Sequence, residues 1–251
     1  CFALDPRVKS VDYCSFSNGA SEVILKNTKG LDVSERQNFA YAYVSVLVSE
    51  NGENKNDGDF IISTDFSDYE AESFAKKIVH SALSQLGAKK VKSGTYPIVL
   101  KNLVAGDILE AMSGIFSADA VIKDLSRLKG QIGKQIASSI VTLIDDPHLP
   151  NGLGSSSFDG EGVATYKKEV ITDGVLMTYL HSLTTAKIFK TTSTANASRA
   201  SFKSSVNISP TNMYIKPQAS PLEDLLKAAF NGIYITDVQG LHCGLNAISG
   251  D

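Results

Sequence analysis

The chain has 251 residues, a net charge of −3 and a pI near 5.8, with 43% hydrophobic and 20% charged residues. A chain this long buries roughly 70–75% of its unfolded surface without staples, and its charge exerts no strong pull on nucleic acid or anionic membrane. Three cysteines without C-x-x-C spacing exclude a secreted disulfide scaffold, and the longest apolar stretch, Phe39 to Val48, is too short to span a bilayer. No basic stripe carries aromatic residues and no signal peptide is visible, so a cytoplasmic setting without nucleic-acid or membrane partners is expected. The N-x-S/T matches at Asn196 and Asn207 read as chance occurrences. Both ends read as cut, with Cys1 in place of an initiator Met and Ile248-Ser-Gly-Asp251 stopping where a strand should continue.

In chain order, Val8 to Tyr13 and Ser21 to Lys26 have strand composition, and Ser17-Asn18-Gly19 between them signals a turn. Phe39 to Val48 reads as a long strand. The polar run Glu50 to Asp59 reads as a hairpin loop, with Phe60-Ile61-Ile62 returning as the partner strand. Ser67 and Glu70 then form a capping box for a helix whose apolar stripe is Ala71, Phe74, Ile78, Val79, Ala82, Leu83 and Leu86, with Gly87 as its stop. Lys89 to Gly94 is a linker.

Beyond it, Pro97 to Leu100 reads as a strand, Val104 to Phe116 as a helix, and Ala118 to Leu128 as a weaker helical segment. Ser138 to Ile144 is apolar and β-branched, and Asp145 to Ser157 is dense in turn residues. Gly162 to Thr172 and Val175 to Tyr179 flank Asp173-Gly174, the strongest hairpin signal in the chain. A Ser/Thr-rich connection, Thr191 to Ser205, leads to a strand at Asn212 to Lys216. Ser220-Pro221-Leu222-Glu223 opens a helix that ends at Gly232, and Ile233 to Val238 is the last strand. The fold class is therefore α+β. A small α+β unit over 1–93 precedes a mainly antiparallel, β-rich domain over 94–251 with two packed helices.

Few residues offer chemistry. The histidines His80, His148, His181 and His242 are too far apart for a local zinc motif. His80 lies off its helix's apolar stripe and should face water, and His148 beside Asp145 and Asp146 reads as a surface turn in preference to an oxygen-rich cation site. His242-Cys243 could form a nucleophile pair, although neighbours on a strand point to opposite faces. No G-x-S-x-G occurs, and Leu128 and Gln135 break the match of Gly130 to Gln135 to a phosphate loop. Phe158-Asp159-Gly160-Glu161-Gly162 sets two acids between glycines, which reads either as a solvated turn or as a loop shaped to face a peptide.

The run His148-Leu-Pro-Asn-Gly-Leu-Gly-Ser-Ser-Ser-Phe-Asp-Gly-Glu-Gly162, with Ile171-Thr-Asp-Gly-Val-Leu176, resembles the PmbA/TldE branch of the TldD/PmbA family. Asp5-Pro6-Arg7-Val8, Ser15-Phe16-Ser17, Ser193-Thr194-Ala195-Asn196-Ala197 and Ile248-Ser-Gly-Asp251 extend the resemblance along the whole chain. It implies a middle region and most of a C-terminal domain, without the family's N-terminal domain and extreme C-terminus. The catalytic branch carries H-E-x-x-x-H. The matching stretch is Leu109-Glu110-Ala111-Met112-Ser113-Gly114, where only the glutamate is kept. Residues five apart lie about 140° from each other on a regular helix, so ligation there demands a distorted helix, and without the ligands none is demanded here.

The resemblance thus implies no metal and no catalytic residue in this chain, with Glu110 vestigial. It places zinc only in a TldD-like protease partner, joined as a heterodimer, or implies a homodimer. Asp159, Glu161 and Asn196 are its peptide-binding candidates. The alternatives are a regulatory binding protein of the gyrase-modulator type, without proteolysis, and an autonomous hydrolase using His242 and Cys243.

Overall fold

The first sheet is built from long strands. In the computed structural model, which describes residues 1–241 together with Cys243, Asn246 and Ile248, β1 (Val8–Lys26), β2 (Asp32–Glu50) and β3 (Glu53–Ser63) form a three-stranded sheet in that order. The chain divides into two units, residues 1–25 with 34–93, and residues 26–33 with 94–251.

Helix α1 (Ala71–Ser84) closes one face of this sheet. Its residues Phe74, Ile78, Val79 and Ala82 recur at helical spacing and are buried with Val8, Val46 and Val48 in one apolar cluster. Since Val44, Val46 and Val48 point toward the helix, alternation turns Tyr41, Tyr43 and Ser45 to the opposite face.

Three expectations for this unit fail. Ser17-Asn18-Gly19 is no turn, because β1 runs through it unbroken and the Phe39 ring lies against Gly19. The run Glu50 to Asp59 is no loop. It is strand paired with β2 from Glu50↔Glu53 onward, and only Asn51 and Gly52, both at positive φ, make the turn. The helix uses no capping box either. Asp65 accepts from the Ser67 N–H to open a 3-10 turn at Phe66–Asp68, and α1 starts after Glu70 without a side-chain cap.

In the second unit, β4 (Ile98–Leu100) pairs in parallel with β11 (Ile233–Ile235). Between them lie α2 (Asn102–Met112), a 3-10 turn at Ser113–Phe116 and α3 (Ala118–Ile122), which is shorter than the predicted segment. The antiparallel sheet runs in the order β10-β5-β6-β7, from β5 (Leu143–Asp145), β6 (Lys168–Thr172), β7 (Val175–Leu176) and β10 (Met213–Ile215). Helix α4 (Leu183–Phe189) was not expected, although Ser182 and Thr185 cap it reciprocally. A short ladder of β8 (Ala197–Ser198) and β9 (Asn207–Ile208), then α5 (Leu222–Ala228), complete the unit.

Its core gathers Phe116, Val121, Leu143, Val170, Leu176 and Leu180 around Tyr179, whose hydroxyl donates to Leu128 O (2.6 Å) and accepts from Gly130 N–H (3.0 Å). The Asp173-Gly174 hairpin forms as read. Thr172 pairs with Val175 and Ile171 with Leu176, with φ of 47° and 82° at the two turn residues. A Cβ on Gly174 would run into the Gln135 amide and the Ala137 and Ser138 carbonyls. Gly174→Ala should therefore cost more than about 2 kcal/mol in urea unfolding, since backbone strain adds to overpacking. An unchanged midpoint would refute this account of the turn.

Candidate functional site

The motif loops of the second unit converge on one buried carboxylate. Asp145 ends β5 with no exposed surface. Its Oδ1 accepts from Thr211 N–H (2.7 Å) and Thr211 Oγ1 (2.8 Å), and its Oδ2 accepts from Lys168 Nζ (3.0 Å) and Asn196 Nδ2 (2.8 Å). A register shift between Leu143 and Ile144 sets Leu143 beside Ile171 but Ile144 beside Glu169, so Asp145 falls opposite Lys168. An unshifted ladder would bring Asp145 opposite Glu169, carboxylate against carboxylate.

Its neighbour Asp146 is held below the ordinary carboxylate range, first by the Lys167 ammonium at 2.9 Å and then by the His148 N–H. His148 turns its Nε2 to Thr165 Oγ1 at 3.1 Å, and Asn212 donates to the Asp146 carbonyl (2.8 Å) and Ser155 Oγ (2.9 Å).

Asp159 is buried and organises its own loop. Its Oδ1 accepts from Glu161 and Val163 N–H (2.9 and 3.0 Å), and its Oδ2 from Ala197 N–H (3.1 Å). Glu161 is half-buried and accepts from Leu183 N–H at 2.7 Å, at the first turn of α4. Asn196 is 2% exposed, and its Nδ2 donates also to Ser209 O (3.0 Å), while its Oδ1 has no partner among the described residues. The three candidates from the sequence thus lie in one network of loops, joined through Ala197 and Asp145, in which each makes hydrogen bonds to the protein itself. Lys168 and Thr211 belong to that network and were not singled out, and Asp145, read as part of a surface turn, is buried instead. A buried lysine beside a buried aspartate leaves no local sequence signature.

Adjoining this network, the His181 N–H donates to Thr194 Oγ1 (2.6 Å), and its ring sits at 5.2 Å from that of Phe189 and 6.3 Å from that of Tyr179. Burial lowers its pKa from the ordinary 6.5. Cys243 is exposed, and the His242 of the His242–Cys243 pairing lies outside the described residues. His80 is exposed, as expected.

The stretch matching H-E-x-x-x-H spans the end of α2. Leu109 packs against the core cluster, Glu110 is exposed, and Gly114 brings no side chain. Unexpectedly, the winding does change there, from α-helix to 3-10 at Ser113, with no ligand demanding it. A leucine, a glycine and one exposed carboxylate do not fit zinc, which takes nitrogen, sulfur or several carboxylate donors. Among the described residues no group of three or more His, Cys, Asp or Glu is placed to hold a metal.

Two outcomes test this geometry. Asp145→Ala strands the Lys168 ammonium in the core and should cost about 3–5 kcal/mol, with a loss under about 1 kcal/mol in urea unfolding counting against the pair. A neutral, buried His181 must release its proton on folding. Below about pH 6.5 the unfolded chain binds the extra proton, so stability falls as pH drops through that value and is flat above it. His181→Gln should flatten that slope in denaturation at paired pH values.

The sequence model of the PmbA/TldA metallopeptidase central domain matches residues 1–86, and that of the C-terminal domain matches residues 93–251. A protein named metalloprotease TldD homolog from Buchnera aphidicola is 31% identical over 95% of this chain and 52% of its own length. Metalloprotease PmbA of Escherichia coli O157:H7 is 27% identical over 98% of this chain and 52% of its own. Among solved structures, a candidate modulator of a DNA gyrase from Thermotoga maritima MSB8 superposes with a TM-score of 0.92 at 33% identity, over 99% of this chain and 56% of that one. TldE from Thermococcus kodakarensis gives 0.80 at 27% identity, over 90% and 52%. The chain spans about half the length of these relatives, and it belongs to the PmbA/TldD metallopeptidase family.

Proposed function

We propose that this chain is part of a subunit without the catalytic metal, the TldE-like half of a cytoplasmic TldD/TldE-type peptidase that processes unfolded peptides. The observation that carries this reading is the donor set at the end of α2, where Leu109 and Gly114 replace both nitrogen ligands and Glu110 alone is kept. In this reading a TldD-like partner supplies the metal, which activates water, and this subunit contributes binding and positioning. In the same reading Asp159, Glu161 and Asn196, which tie these loops together, shape the surface that faces the peptide. The net charge of −3 gives no support to a gyrase modulator acting through DNA.

Two measurements follow. Metal analysis of chelator-free protein should find no stoichiometric zinc, and one ion per chain would overturn the assignment. Co-purified with a TldD-like subunit and assayed on unfolded casein, Glu110→Gln should retain the peptidase rate within about twofold, whereas loss of a true general base removes about 10²–10⁴-fold. A hundredfold loss in a folded, assembled variant would put catalysis partly on this chain.

A further inference from the structure

Three buried side chains of different chemistry meet at one oxygen atom. Asp145 Oδ2 lies 3.0 Å from Lys168 Nζ and 2.8 Å from Asn196 Nδ2. Thr211 holds the other oxygen of that carboxylate with two donors, so Oδ2 alone serves both nitrogens. Asp145 and Asn196 are closed off from solvent, and Lys168 is only 8% exposed. The Tyr166 ring lies over the Lys168 ammonium, with 4.9 Å from the nitrogen to the ring centroid.

An amine, an amide and a carboxylate fixed together away from water carry a chemistry that none has alone. A neutral lysine amine is a nucleophile, and the carbonyl carbon of an asparagine amide is its electrophile. A carboxylate within hydrogen-bond reach of both nitrogens can take a proton from one and hand it to the other. Fixing the reactants in place can be worth an effective concentration of about 10⁵–10⁸ M.

The geometry points to an autocatalytic cross-link, an isopeptide bond from Lys168 Nζ to Asn196 Cγ formed with release of ammonia. Asp145 Oδ2 first takes a proton from the Lys168 ammonium, which discharges both groups in a core that penalises charge. The lone pair freed on Nζ attacks Cγ and opens the carbonyl onto Oδ1. That oxygen has no partner among the described residues, so no hydrogen bond is lost as it moves. As the Cγ–Nδ2 bond breaks, Asp145 gives its proton to Nδ2, which leaves as ammonia, and takes a second proton from Nζ. The products are one secondary amide, one ammonia and a protonated Asp145, so no unpaired carboxylate is left in the core.

The bond ties β6 to the connection after α4 and closes a loop of chain, as a disulfide does. Direct coupling of Lys168 to Asp145 is the competing reaction. It would release water, and it lacks a proton shuttle, because Lys168 pairs with no other carboxylate among the described residues. Neither reaction depends on the peptidase assignment.

The test is the mass of the purified 251-residue protein, measured intact and after digestion. The intact protein should be lighter than its sequence by about 17 Da, the mass of the ammonia released. Tandem fragmentation of a tryptic digest should find a branched peptide joining Lys168 to Asn196. Lys168→Arg keeps a cation opposite Asp145 without a nucleophilic amine, so it should fold and show the full sequence mass. Circular dichroism checks that fold.

A wild-type protein at full sequence mass would overturn the proposal and needs no variant to interpret. A loss of about 18 Da would overturn it too, by assigning the bond to Asp145 with release of water. So would an ammonia-sized loss that fragmentation places in a succinimide at an Asn-Gly pair such as Asn51-Gly52, or one that persists in the folded Lys168→Arg protein.

Discussion

A carboxylate with no access to water must be neutralised by what surrounds it, and the second unit is arranged around that requirement at Asp145. Four donors reach its two oxygens, from three different segments of chain. Lys168 brings a compensating charge, Asn196 ties in the connection after α4, and Thr211 ties in the approach to β10. Removing any of these leaves a polar group unmet in a medium where that is expensive. The register shift in the β5–β6 ladder is what makes the pairing possible, since it exchanges a facing glutamate for a facing lysine. One irregular residue pair in a short sheet thus decides whether the surrounding loops have a common anchor.

From that anchor the loops are pinned outward in sequence. Asp159 folds its own turn and catches Ala197, Glu161 reaches the first turn of α4, and Ser193 and Thr194 fasten the chain to the His181 backbone. The residues that carry the family resemblance are therefore mostly those that hold the loops to one another. A loop region fixed in this way holds its backbone in one defined position. At the end of α2, Leu109 contributes packing to the core of the same unit.

What could be read from the residues followed from how local the signal was. The stripe of α1 and the Asp173-Gly174 turn depend on neighbours a few positions away, and both formed as expected. Glu53 to Asp59 looked like loop because its residues are polar, yet one side of that strand meets α1 lysine chemistry and the other is an uncharged face. Strand there is dictated by β2, which no composition rule sees. In the same way Asp159, Glu161 and Asn196 stood out by their setting among glycines and small residues, but the direction in which they point depends on hydrogen-bond partners 22 to 51 positions distant. Asp145 and Lys168 stayed hidden because a bulge, invisible to periodicity, brings them together.

The two units differ also in when they can be completed on a growing chain. The β2–β3 ladder closes through a two-residue turn as soon as its second strand is made. By contrast β4 finds its partner β11 only about 135 residues later, after α5 has been synthesised. At a translation rate of about 5–20 residues per second, the edge of β4 waits on the order of ten seconds for its partner. High contact order of this kind slows folding and leaves strand edges open to wrong partners meanwhile. The stretch from Ile98 to Leu100 is the strand edge left open for that interval, whereas the β2–β3 ladder has both its strands at once.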